Sequence, residues 1–97
     1  MSAKFFGKYR GVVTNNVDPM QMGRIRALVP DVFGVEESGF AMPSVPCHLP
    51  AKIASALPKI GAEVWIEFEQ GDRSRPIWTG CFFRAAAETP PALRNRK

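Results

Sequence analysis

The chain has 97 residues and a net charge of +4, and 45% of its residues are hydrophobic and 10% aromatic. This length and composition are typical of one small globular domain and exclude a disordered chain. No apolar run approaches the roughly 20 residues of a membrane span, and the first ten residues lack the apolar core of a signal peptide. We therefore expect synthesis in the cytoplasm and no stable membrane insertion.

The charge is unevenly distributed along the chain. Residues 1–83 carry nine Lys/Arg against eight Asp/Glu, whereas residues 84–97 carry four against one. A nearly neutral body lacks the clustered positive charge of a nucleic-acid platform. We predict a folded domain at 1–83 and an extended or flexible basic arm at 84–97, which is either a solvated end or a docking segment.

The N-terminal part of the sequence predicts a short segment without regular structure, residues 1–7, which we call the lead segment, and then a first strand. The lead segment contains Phe5 and Phe6, which we expect to pack on the domain or on a neighbouring subunit. The strand is predicted over residues 8–15, with Gly11 as a bend or bulge.

A turn and a second strand follow. Residues 15–19 (NNVDP) predict the turn, because Asn and Asp tolerate unusual backbone angles and Pro fixes the next one. The second strand is predicted over residues 22–29. Its alternation places Ile25, Ala27 and Val29 on one face, and Arg24, Arg26 and Leu28 on the other.

The middle of the chain predicts little regular structure. Residues 31–50 contain several Gly and Pro residues and one short candidate strand at 40–42. Residues 51–57 predict one or two helical turns that connect to the next strand. Cys47 and Cys81 are predicted to be free thiols, with Cys81 as a small core residue.

The clearest pattern is a hairpin over residues 57–83. Apolar and polar residues alternate over 62–69, which predicts a strand with one buried face. Gly71-Asp72 opens the turn, and the return strand over 77–83 is apolar on both faces, so we expect part of it to be covered on both sides. Short strands with Gly/Pro turns predict an all-β fold, a small closed barrel of the OB type with about five strands.

An enzyme is not predicted. His48 and Cys47 are adjacent on an extended chain and point in opposite directions, so they are poorly placed as a base and nucleophile. Two Cys and one His do not make a zinc site, and no cofactor is expected. The acids of the hairpin strand are expected to be solvated or paired across strands with two arginines; these residues are Glu63, Glu67, Glu69, Arg24 and Arg26.

Two binding functions remain open. A single-stranded nucleic-acid-binding OB fold needs exposed aromatic residues beside basic ones, but Trp65 lies among three glutamates. A structural protein would use large side chains as interface anchors, although Trp65 and Trp78 can instead complete the core. The candidate interface residues are Trp65, Trp78, Phe5, Phe6, Arg94, Arg96 and Lys97.

The sequence resembles the OB-fold module of phage baseplate assembly protein V, shared by contractile-tail spikes and the VgrG spikes of type VI secretion. Three segments carry the resemblance in order: residues 11–30, which combine an Asp-Pro turn with a Gly-Arg-Ile strand; residues 40–43; and residues 57–80. The third is the longest and most specific. The family often has tryptophan where this chain has Phe40.

The resemblance implies a structural, non-catalytic, trimeric part of a contractile injection machine, made in the bacterial cytoplasm and located in the tail baseplate. It implies a position in the spike or hub on the tail axis, next to a hub protein. Larger relatives continue into a β-helix or a lysozyme domain, which residues 84–97 do not resemble, so we expect a separate spike-tip protein. No nucleic-acid partner is expected.

Overall fold

A computed structural model describes residues 3–47, 57–90 and 93–94. The predicted helical connector at 51–57 therefore lies almost entirely outside the described residues. The model contains five strands: β1 (Tyr9–Asn15), β2 (Arg26–Leu28), β3 (Met42–Pro43), β4 (Glu63–Phe68) and β5 (Pro76–Cys81). A single-turn helix, α1 (Pro30–Phe33), follows β2, and two 3-10 turns lie at Glu69–Gly71 and Ala86–Glu88.

The strands form one mixed sheet in the order β2-β1-β4-β5-β3, which makes a half-barrel. Neighbouring strands are antiparallel except β3 and β5, which are parallel. Two isolated bridges, Ile25 with Ala41 and Leu28 with Glu37, join β2 and the residue before it to the segment that leads into β3. A mostly-β fold with one short helix is confirmed, whereas full closure of the barrel and the extended C-terminal arm stay predictions.

The core lies on the concave face of the sheet, and the two alternating strands supply it as predicted. Val64, Ile66 and Phe68 are at most 6% exposed, and Ile25, Ala27 and Val29 are fully buried. The second strand is shorter than the predicted 22–29, so Ile25 and Val29 flank β2 and only Ala27 lies on it. Val13, Ala41 and Trp78 complete the apolar cluster. Period-two alternation therefore predicted the direction of these side chains correctly.

Aromatic rings extend the core toward the turn between β4 and β5. Phe68 lies 5.7 Å from Tyr9, 5.8 Å from Phe33 and 6.2 Å from Phe5, measured between ring centroids. The backbone N–H of Phe5 donates to the carbonyl of Gly71, which fixes the lead segment against this turn. The prediction that Phe5 packs on the domain is confirmed.

Gly11 is not the bend or bulge that the sequence predicted. The irregularity of β1 lies between Val13 and Asn15, where the register with β2 shifts. Gly11 is buried, and a Cβ there would lie 2.9 Å from Cγ1 of Ile66 and 3.3 Å from the carbonyl oxygen of Leu28. This glycine is therefore required by close packing and not by a special backbone angle.

The end of β5 differs from the prediction. Cys81 is exposed where the strand ends, so its assignment to the core is wrong. Within residues 84–90 the chain forms a 3-10 turn at Ala86–Glu88, which the sequence pattern did not predict. No helix in the described part of the chain is long and apolar enough to cross a membrane.

Candidate interaction surface

The outer face of β4 carries the most organised group of exposed side chains. Glu63, Trp65 and Glu67 alternate with the buried residues of the strand and are half-buried. Trp65 lies opposite Arg10 in the β1–β4 pairing. The pleat of the strand therefore presents one tryptophan between two carboxylates, with an arginine beside it on the neighbouring strand.

Trp65, Phe82 and Arg10 form what we call the outer-face cluster. The Trp65 and Phe82 rings lie 4.5 Å apart between centroids, at an interplanar angle of 36°. The guanidinium carbon of Arg10 lies 5.5 Å from the Trp65 centroid and 4.9 Å from that of Phe82. These distances are those of cation–π contacts, which hold the guanidinium against both rings.

The two carboxylates that flank Trp65 are paired with cations. Glu67 accepts from Nζ of Lys8 at 3.1 Å, and Glu63 pairs with the guanidinium of Arg84. The pairing with Glu63 raises the pKa of the Arg84 guanidinium through its hydrogen bond and charge. Both acids are therefore neutralised by residues that the sequence pattern did not match to them.

The predicted cross-strand pairing of the strand acids with Arg24 and Arg26 is wrong. Arg24 binds Asp18, with Nη2 2.8 Å from Oδ1, and Arg26 binds Glu37 at 3.4 Å. The sheet order explains the error, because β1 lies between β2 and β4 and separates these arginines from the β4 acids.

Asp18 organises the loop before β2. Its carboxylate accepts hydrogen bonds from the backbone N–H groups of Met20, Met22 and Arg24, and from the Arg24 side chain. The Arg24 guanidinium, with help from these backbone N–H groups, holds the pKa of Asp18 far below its usual range. The guanidinium carbons of Arg24 and Arg26 lie 4.8 and 4.4 Å, respectively, from the ring centroid of Phe40.

Trp78 is a core residue, the alternative that the sequence left open. Its side chain is 6% exposed, and its indole N–H donates to the carbonyl of Gly23 at 2.9 Å. It is not available as a surface anchor on the described chain. Trp65 is the tryptophan on the outer face.

Phe5 and Phe6 do not join Trp65 in the outer-face cluster. Phe6 is 69% exposed and lies near Gly71, at the turn between β4 and β5. Arg94 is exposed, and its Nε donates to the carbonyl of Thr89 at 3.0 Å. Arg96 and Lys97 lie outside the described residues.

A shallow groove of about 480 Å³ lies between α1 and the turn that precedes β5. Its polar side chains are Glu36, Glu37, Arg73 and Ser74, and Val32 and Phe33 supply its apolar wall. Across residues 3–47, 57–90 and 93–94, no group of three or more His, Cys, Asp or Glu is placed to hold a metal ion.

Comparison with known families identifies the fold. Residues 9–83 match the family described as the type VI secretion system/phage-baseplate injector OB domain. The match spans β1 to the end of β5, and the chain belongs to this family. The comparison with curated proteins finds no match. The predicted resemblance to the baseplate OB module is thus confirmed, and with it a structural role related to the baseplate of a phage tail or injection particle.

The sequence analysis missed Arg10 and Phe82 as members of the surface. Arg10 had a detectable signal, since it alternates with Tyr9 and Gly11 and must face outward if Gly11 faces the core. Phe82 follows the last residue of β5, and its N–H donates to the carbonyl of Glu63 at 3.1 Å. The sequence predicted a strand through residue 83, but the place of Phe82 beside Trp65 depends on the register of β5 against β4, which no local pattern predicts.

Proposed function

We propose that this protein is a structural component of a contractile tail baseplate, in the central spike or hub on the tail axis. The observation that carries the proposal is the family match over residues 9–83. The injector OB domain is a baseplate element, and a position on the axis is the one that joins a hub to a piercing tip. The protein contributes shape and contacts to the machine and no catalysis.

The working form in this proposal is a homotrimer that contacts a baseplate hub protein and a separate spike-tip protein. The bridges of Ile25 with Ala41 and of Leu28 with Glu37 support a closed barrel as its unit, because they satisfy backbone groups that an open edge would expose. The nearly neutral charge of residues 1–83 supports close packing around an axis, since three such bodies repel each other little.

The C-terminal arm has a part in assembly under this proposal. Arg94, Arg96 and Lys97 add positive charge beyond the body. Three basic arms around one axis repel each other unless they spread outward onto acidic groups. Weak contacts made by three arms also reinforce one another, so that each arm need not bind tightly.

Electron microscopy of purified particles that contain a tagged copy of the chain tests the position. We expect density for the tag on the axis of the baseplate, with three copies per particle. Tag density at the periphery of the baseplate, or on the sheath, would contradict the axial position. A tag on a known sheath subunit is the matched control.

Light scattering tests the arm. A variant in which Arg94, Arg96 and Lys97 are all changed to glutamine keeps the length of the chain and removes only the charge. We expect fewer trimers, or fewer incorporated copies in particles, than for the unchanged chain. Equal mass and equal incorporation of the two proteins would show that the arm has no assembly role.

A single-stranded nucleic-acid-binding protein is the second candidate, and the outer-face cluster is the observation in its favour. Arginine beside aromatic rings is a feature of sites that bind single strands. Titration of labelled single-stranded DNA at low salt separates the two candidates. We expect weak binding. Tight binding that weakens steeply with salt would make nucleic-acid binding the first candidate and the structural role the second.

A further inference from the structure

We propose that the outer-face cluster is a receptor for a carboxylate carried by an acidic segment of a second protein, with Arg10 as the group that binds it. The inference rests on the proposed function in one respect, namely that the second protein is another component of the baseplate. The receptor itself is argued from the geometry of Arg10, Trp65 and Phe82.

The Arg10 guanidinium is held in place before any partner binds. It contacts the rings of Trp65 and Phe82 at 5.5 and 4.9 Å, and those rings pack on each other at 4.5 Å. A guanidinium stacked on a ring keeps its N–H edge free for a planar, two-point contact with a carboxylate. Because the rings already restrict the side chain, binding costs less conformational entropy than for a free surface arginine.

The charge balance of this face leaves Arg10 without a partner. Lys8 and Arg84 are paired with Glu67 and Glu63. Arg10 has no carboxylate within ion-pair distance among the residues that the structure describes. Lys8 and Arg84 are therefore matched by acids of this chain, and Arg10 is the cation that one carboxylate of a partner would neutralise.

Two features favour an acidic protein segment over a nucleic-acid strand. The faces of Trp65 and Phe82 are occupied by each other and by Arg10, so a base would have to displace a contact in order to stack. One arginine without an ion-pair partner also falls short of the clustered positive charge that a phosphate backbone requires.

Charge also argues against a second copy of this chain as the occupant. The chain carries +4, of which +3 lies in residues 84–97, so charge gives a second copy no net attraction to this site, whereas an acidic partner is attracted. Five of its nine acidic residues are already in ion pairs within the chain. These five are Asp18, Glu37, Glu63, Glu67 and Glu69.

The two tryptophans allow a direct test on the full chain. The indole N–H of Trp65 reports on the cluster, and that of Trp78, which is hydrogen-bonded to Gly23 in the core, is an internal reference. The probe is a tetraglutamate peptide, and tetraglutamine is the matched control. Both are titrated into the labelled protein while the two indole N–H signals are followed by NMR.

We expect a saturable shift of the Trp65 signal with tetraglutamate, no shift with tetraglutamine, and a Trp78 signal that stays in place. Arg10→Gln should weaken the binding of tetraglutamate by about tenfold or more, and Arg10→Lys by less, since lysine keeps the charge and loses the planar fork. Lys8→Gln removes another cation from the same face and should change the affinity by no more than about twofold.

Several results would overturn the inference. An equal response to tetraglutamine would show that the carboxylate is not required. Equal losses of tetraglutamate affinity in Lys8→Gln and Arg10→Gln would show that the peptide is attracted by the general positive charge of the face and not by a site at Arg10. Tighter binding of a short oligothymidine would make it a phosphate site. A Trp65 shift that depends on protein concentration alone, and disappears in Arg10→Gln, would make the occupant a second copy. None of these results changes where the tagged chain lies in particles. The electron microscopy therefore tests the proposed function independently of this titration.

Discussion

The two faces of β4 meet very different surroundings. On the inner face, Val64, Ile66 and Phe68 pack into a single apolar cluster with the other strands. On the outer face, the half-buried side chains contact separate segments: Glu63 contacts Arg84 beyond β5, Trp65 contacts Phe82 and Arg10, and Glu67 contacts Lys8 before β1.

This difference shows what an alternating pattern can and cannot determine. Alternation determines whether a side chain faces inward. An inward apolar side chain is stabilised by burial against apolar neighbours of many kinds, because the hydrophobic effect has no preferred direction. An outward pair needs one particular neighbour, which depends on strand order and register. Register shifts lie between Val13 and Asn15 on β1 and between Val64 and Ile66 on β4, and the local sequence pattern identified neither.

The largest expected effect is on the inner face. Phe68→Ala should lower the free energy of unfolding by about 3–5 kcal/mol, because it removes a buried ring that contacts three other aromatic rings. Denaturant unfolding measures the change. Glu67→Ala, on the outer face next to it, should cost less than about 1 kcal/mol, since its partner Lys8 is half exposed. A loss below about 1 kcal/mol for Phe68→Ala would contradict the inner-face packing.

A second test concerns the space between the inner residues and β1. Gly11→Ala should destabilise the protein by about 1–3 kcal/mol, because the new methyl group would meet Ile66 at 2.9 Å. Gly39→Ala is the matched control, since no atom lies within 4 Å of a Cβ there. We expect the control to be neutral or slightly stabilising in the same denaturant experiment. Equal effects of the two changes would mean that Gly11 is not closely packed.

The sequence predicted most of the core and only part of the sheet. The buried sets on β4 and on the second strand follow from alternation, and the family resemblance is confirmed over residues 9–83. Trp78 could not be assigned in advance, because its burial and its hydrogen bond to Gly23, 55 residues away in sequence, both result from tertiary packing. Cys81 was assigned to the core because both faces of its strand are apolar, yet it is exposed where β5 ends.

Of the residues in the outer-face cluster, the sequence analysis identified only one. Trp65 was singled out as a large side chain on an outward face, and it does lie in the outer-face cluster. Phe5 and Phe6 lie elsewhere, at the turn between β4 and β5. The grouping of Arg10 with Phe82 depends on antiparallel pairing of β4 with both β1 and β5, which is tertiary information.

The hydrogen bonds of Asp18 predict that the stability of the protein depends on pH. The pKa of Asp18 is held below its usual range in the folded state by Arg24 and three backbone N–H groups. The folded protein therefore binds fewer protons at this carboxyl than the unfolded chain. The stabilisation from Asp18 is complete above its unfolded pKa of about 3.9 and is lost as the pH falls through the folded pKa.

We expect Asp18→Asn to be less stable than the unchanged protein at neutral pH and to lose less stability on acidification. Thermal unfolding between neutral pH and about pH 2.5 checks this difference in slope. Glu36→Gln, at an exposed position, is the matched control and should follow the unchanged protein. Parallel curves for Asp18→Asn and the unchanged protein would mean that the Asp18 carboxylate contributes no specific stabilisation.

The smallest expected effect on stability is on the outer face, and it sharpens the comparison most. Arg10→Gln removes two cation–π contacts at an exposed position, so the free energy of unfolding should fall by no more than about 1 kcal/mol. The same change should weaken carboxylate binding strongly, if the outer face serves interaction and the inner face serves folding. The stability of Arg10→Gln and its tetraglutamate titration are therefore measured on one preparation. A loss of stability as large as that of Phe68→Ala would show that Arg10 belongs to the folding core of the domain, and the division between the two faces of β4 would then be wrong.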